Sequence, residues 1–193
     1  MPLPTYNKSK RRRTFEQLPK NAYVIRILSA KLEKSKDKKS EFISFAFDID
    51  EGDYAGFYKK QYEANTNEDK KWPNDAVYRL SVPTDDSKDW IWNNWNTFFA
   101  DLEDSNDGFV WDMKDPKKLK GKLIGGKFHI EQSEYNGKVY NHTRLRWTCV
   151  AEQVRNDTFG QLPMDKLIAP SAPASDPDDF MTLPDGVEDE LPF

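Results

Sequence analysis

The chain has 193 residues, room for one medium domain with extensions, and only 37% of them are hydrophobic, low for a chain packed throughout. A single cysteine, Cys149, excludes a disulfide framework or a cysteine-based zinc site within one chain, and no apolar run nears the roughly 18 residues of a membrane span. The net charge of −4 argues against a polyanionic partner only until its distribution is read: residues 176–193 hold seven acids and no Lys or Arg, and with them set aside the first 175 residues stand at +3.

Residues 1 to about 19 form a basic arm with three prolines and the cluster Lys8, Lys10, Arg11, Arg12 and Arg13. The arm lacks the apolar core of a signal peptide, so an intracellular soluble protein is expected. The folded body is expected from about 20 to 166. Residues 22–30 (AYVIRILSA) and 41–50 (EFISFAFDID) read as strands. In the second, Ile43, Phe45, Phe47 and Ile49 alternate with Ser44, Ala46 and Asp48, which predicts one face in a core. Residues 56–63 (GFYKKQYE) and 76–82 (AVYRLSV) read as further strands flanking a polar loop from Asn65 to Asn74. From about 88 to 104 the spacing turns helical: Trp92, Trp95, Phe99 and Leu102 form one stripe, Asp85, Asp86 or Ser87 can cap the start, and Gly108 follows the end. Strands at 119–135 and 138–150 meet at Asn136-Gly137, a dipeptide suited to a tight hairpin because both residues tolerate positive φ. From about 167 to 193 the chain is rich in proline and acid and poor in large apolar residues, which predicts a disordered linker and acidic tail.

Three or four strands, one helix and a closing hairpin predict a mainly β protein. The layout is that of an OB-fold, a five-stranded, partly open Greek-key barrel with one helix, which binds oligonucleotides across its strand 2–3 face and its loops. A generic α+β sheet with one helix fits the same order.

The last strand carries the most chemistry. At period two, Val139, Thr143, Leu145, Trp147 and Cys149 share one face, and Tyr140, His142, Arg144 and Arg146 share the other. With the apolar face inward, the outer face offers a ring, an imidazole and two guanidiniums, groups that stack on bases and meet phosphates; an ordinary solvated strand face would read the same way. In 56–63, Tyr58, Lys60 and Tyr62 share a face opposite Phe57 and Lys59; alternation alone leaves either one outward, and we place the first set outside. Lys70, Lys71 and Trp72 end the next loop, where Trp72 either stacks on a ligand or folds back on the barrel. Phe42 and Lys127 are weaker candidates. The arm's Arg11, Arg12 and Arg13 add phosphate contacts, resemble a nuclear-localisation run, or simply solubilise the chain.

For catalysis the sequence offers His129 and His142, but no Gly-rich phosphate loop, paired metal-ligand histidines or serine elbow. Asp48, Asp50, Glu51 and Asp53 could hold Mg²⁺ for a nuclease, yet Gly52 and Gly56 mark that stretch as a strand end and turn. No catalytic residue, cofactor, metal site or membrane partner is expected.

The chain ends Asp189-Glu190-Leu191-Pro192-Phe193, acid beside an apolar terminus, which suits a partner pocket with a hydrophobic slot and a basic rim. This ending resembles the acidic tip of bacterial single-stranded DNA-binding proteins: several acids, an aliphatic residue, Pro and Phe. The stretch EGDYAGFYKKQYEANTNEDKKW (51–72) resembles the divergent members found in bacteriophages and integrated elements more than the housekeeping protein. The resemblance implies a sequence-independent single-stranded DNA-binding protein acting in replication, recombination and repair. Its tip, Asp189 to Phe193, would dock on a helicase, primase, nuclease or recombination mediator in the bacterial cytoplasm, at the nucleoid or a phage replication site. A homo-oligomer is also implied, since the housekeeping family is usually tetrameric. The alternative is a recombination mediator or strand-annealing protein of a phage or mobile element.

Overall fold

The computed structural model describes residues 16–37 and 40–168, so the arm's basic cluster and the tip from Asp189 to Phe193 lie outside the described residues. The elements are β1 (Ala22–Lys34), β2 (Glu41–Ile49), α1 (Phe57–Ala64), β3 (Val77–Ser81), α2 (Asp89–Asp104), β4 (Leu123–Tyr135), β5 (Lys138–Cys149) and α3 (Ala151–Arg155), with 3-10 turns at Asn74–Ala76 and Pro116–Leu119. The strands make one antiparallel sheet in the order β3-β2-β1-β4-β5, mainly β as expected, and it is not closed by backbone pairing between β3 and β5.

One apolar face of the sheet makes the core. Ile43, Phe45, Phe47 and Ile49 are all buried, as their alternation predicts, and they meet Ile25, Ile27, Leu80, Ile124, Phe128 and Leu145 from the other strands. Helix α2 adds Phe98, Phe99 and Leu102, and Phe99 stacks on Trp111 with ring centroids 4.8 Å apart. The helical stripe is therefore shifted: Phe98 is buried, while Trp92 is 38% exposed. None of Asp85, Asp86 or Ser87 caps α2. Its N-cap is Lys88, without a side-chain bond, and Ser87 Oγ instead accepts the Thr84 N–H. The hairpin turn matches its sequence, with φ of 51° at Asn136 and 69° at Gly137.

The largest correction concerns 56–63, which forms α1 instead of a strand, so the chain has three helices among the described residues where one was expected. Gly56, at φ 70°, turns the chain into α1 but has no side chain to cap it. Asp48, at the end of β2, takes over: it accepts the N–H groups of Tyr58 (2.9 Å) and Lys59 (3.1 Å), two of the four donors that a helix start leaves free. Helical turning buries Phe57 and Tyr58 together, and Tyr58, expected outside, is only 2% exposed. Its ring stands edge-on to Phe47, with centroids 5.8 Å apart. The 119–135 strand is also shorter than expected, because Pro116–Leu119 is a 3-10 turn capped by Asp115.

Past α3 the chain returns along the outer edge of β4. The Gln132 N–H donates to Lys166 O and the Lys166 N–H to Ile130 O, both at 2.9 Å, and Asp165 accepts the Ile130 N–H. This covers an edge that would otherwise offer free backbone groups. Two carboxylates hold the segment. Lys166, with Arg144 beyond it, keeps Glu131 below the usual carboxylate range, and Lys20 with the Ile130 N–H does the same for Asp165. A lowered native pKa stabilises the fold above the group's ordinary value and is lost as pH falls through the native one. Between about pH 6 and about pH 3, then, the Ile130, Gln132 and Lys166 amides should lose hydrogen-exchange protection before those of β1 and β2. Uniform loss across the sheet would contradict this.

Burial pushes the Cys149 thiol up to about 11. The folded protein should therefore resist alkylation at about pH 8 and react once unfolded, as a thiol-labelling time course would read. No helix among the described residues is long and apolar enough to cross a membrane.

Candidate nucleic-acid interface

The expected outer face of β5 is built differently from simple alternation. Lys127 pairs with Trp147 and Phe128 with Leu145, so Arg146 is the extra residue of a β-bulge. Leu145 and Cys149 stay in the interior on either side, but Trp147, expected on the core face, turns outward and is 46% exposed beside an exposed Arg146. Val139 is corrected too. It is exposed because β1 pairs with β4 only from Leu123 to Lys127, leaving the hairpin end without a sheet neighbour on that side.

Arg146 and Trp147 line two adjoining hollows. One, of about 310 Å³, is completed by Tyr78 on β3 and by Trp90 and Asn94 on the first turns of α2. The other, of about 550 Å³, contains Arg144, Met164 and Lys166, with Glu131 and His129 beneath. Together they make a strip of indole, guanidinium and ammonium groups along β5. Trp90, Tyr78 and Lys166 were not among the sequence candidates. Trp90 was legible as a large apolar residue off the α2 core stripe, and it is 62% exposed.

The three cationic candidates on β5 differ in availability. Arg144 is committed: its Nε lies 3.3 Å from Asp75 Oδ1 and its Nη1 3.0 Å from Glu131 Oε2. His142 shares hydrogen bonds with Asp75 (3.2 Å) and Ser133 (3.0 Å). Asp75 precedes β3, so these contacts bridge the two edge strands that backbone pairing leaves apart. Glu131 is shared with Lys166, at 2.7 Å. Arg146 has no carboxylate partner among the described residues, and its charge is open to a ligand. His129 is buried, with Nδ1 3.1 Å from Met164 O, a satisfied interior histidine.

The remaining candidates spread out. Lys127 is half-buried opposite Trp147, and Tyr140 is exposed toward the hairpin tip. Lys60 and Lys71 are exposed. Tyr62 lies 5.6 Å from the Trp72 ring with Lys70 Nζ 4.7 Å above it, a second cluster that shares no residue with the β5 strip. Trp72 folds back: its indole N–H donates to Phe47 O at 3.3 Å and its ring packs on the core. Phe42 lies under the Arg79 guanidinium, 5.4 Å away.

The acids considered for a metal have other work. Asp48 is the buried cap of α1, held above the usual carboxylate range by burial despite its N–H donors. Asp50 pairs with Arg26 (2.8 Å to Nη2) and Glu51 with Arg155 (2.7 Å). Among the described residues no group of three or more His, Cys, Asp or Glu is arranged to hold a metal ion. No protein-family model matches the chain, and no curated protein is similar enough to it to establish kinship.

Proposed function

We propose that the chain is a sequence-independent single-stranded DNA-binding protein of OB-fold type, and the observation that carries this reading is the solvent-facing pair Arg146 and Trp147 between two hollows that hold Trp90 and Lys166. The strand order, the helix between β3 and β4 and the Asp75 bridge across the open seam fit a barrel of that type. Bases of a single strand stack on the indoles, each contributing roughly 1–3 kcal/mol, while Arg146 and Lys166 follow the phosphates over a site of about 4–16 nucleotides. Duplex DNA hides its base faces and binds poorly. The acidic segment ending in Asp189, Glu190, Leu191, Pro192 and Phe193 recruits a helicase, primase, nuclease or recombination mediator in the bacterial cytoplasm.

The test separates the two arginines. Arg146→Ala should weaken binding to oligo(dT) and lower the slope of log affinity against log salt by about 0.7, the share of one phosphate contact on a single strand. Arg144→Ala should instead lower the melting temperature, because it strands Asp75 and Glu131 at the seam. An unchanged affinity and salt slope in Arg146→Ala would remove this face from the proposal.

A further inference from the structure

The smaller hollow holds more than a stacking platform requires. Trp90 and Asn94 are four residues apart and share one face of α2, and Trp147 and Arg146 face them from the β5 bulge. The two indoles line the hollow without stacking on each other, which leaves their faces for a third ring. Tyr78 is fixed by its ring contact with Phe45, 5.4 Å between centroids, and its hydroxyl lies 3.3 Å from Asn94 Nδ2. That is the one hydrogen bond Asn94 makes among the described residues. Whichever way round the amide sits, it keeps one N–H donor and one oxygen lone pair unused, half-buried between two indoles.

An amide with one free donor and one free acceptor complements the outer edge of adenine, which offers N6–H and N7 side by side. The same edge of guanine offers two acceptors, and that of thymine a carbonyl and a methyl group. Arg146 lines both hollows, so it lies on the path of the backbone and takes phosphate, whereas Asn94 belongs to the smaller hollow alone. At about 310 Å³ the space suits one base with its sugar. Resting on the strand-binding reading above, we propose that this hollow receives one nucleobase of the bound strand and favours adenine, with the Asn94 amide on its N6–H and N7. The rest of the strand is bound without regard to sequence.

The experiment compares oligo(dA) with an equally long strand of 7-deaza-2′-deoxyadenosine, which keeps the ring and N6 but lacks N7. A homopolymer places an adenine in the hollow whatever register the strand takes. The full chain should bind the deaza strand about fivefold more weakly, the worth of one hydrogen bond, and Asn94→Leu should abolish the difference. Equal binding of both strands by the wild-type chain, with both preferred over duplex, would overturn the base-reading proposal and leave the strand-binding reading standing. A similar deaza penalty on guanine strands, lost in Arg146→Ala, would give the edge contact to Arg146 and also overturn it. If neither single strand is preferred over duplex, the strand-binding reading fails and takes this one with it.

Discussion

Trp147→Ala is expected to weaken binding to oligo(dT) by about 5- to 150-fold, the equivalent of one lost stacking partner at about 1–3 kcal/mol. The β-bulge at Arg146 lifts the indole out of the core sequence of β5, and it is the ring common to both hollows of the strip. Because the ring is exposed and no buried neighbour depends on it, the stability of the free protein should change by no more than about 0.5 kcal/mol. Leu145, two residues earlier and buried, gives the contrast: its replacement by alanine should cost about 2–5 kcal/mol of stability. Anisotropy of a labelled oligonucleotide is the suitable readout, since the substitution removes one of the tryptophans that would report by fluorescence. Affinity within twofold of wild type would remove base stacking on β5 from the mechanism.

The second large effect is on the fold. Asp48→Ala should lower the unfolding free energy by about 2–3 kcal/mol, because the Tyr58 and Lys59 N–H groups at the start of α1 lose their acceptor where Gly56 can offer none. The aspartate also carries a cost. Burial raises its native pKa above the ordinary value, so the contribution of its titration to stability falls as pH rises through that range. Asp48→Asn keeps one acceptor oxygen without the buried charge. It should lie closer to wild type than the alanine variant does, and it should gain on wild type between about pH 4 and about pH 7. Urea unfolding followed by intrinsic fluorescence at both pH values measures this. An alanine variant within about 0.5 kcal/mol of wild type would show that α1 starts without Asp48.

What was legible in the sequence had a strong local cause. The four alternating apolar residues of β2 and the Asn136-Gly137 turn each specify their geometry within a few residues, and the structure has them as read. Residues 57–64 failed because Tyr58 and Tyr62 are spaced four apart, which satisfies alternation and a helical turn equally. The deciding element, the cap by Asp48, comes from another strand. Trp147 was assigned inward for a similar reason: nothing in the local pattern marks the bulge, although Leu145 and Cys149 bracket it correctly. The partners of Arg144, Asp75 and Glu131, are 69 and 13 residues away, so the sequence gave no sign that this guanidinium is committed while Arg146 is free. Trp90 and Asn94 were missed because attention fell on the apolar stripe of α2, whereas the candidate site uses the residues off it.

The central claim is tested most directly by a fluorescence titration of the full chain with oligo(dT) and with duplex DNA at two salt concentrations. Tight, salt-sensitive binding to the single strand with strong tryptophan quenching, and much weaker binding to duplex, is the expected result. Equal affinity for the two forms, or binding without quenching, would contradict a stacking surface built on Trp90 and Trp147.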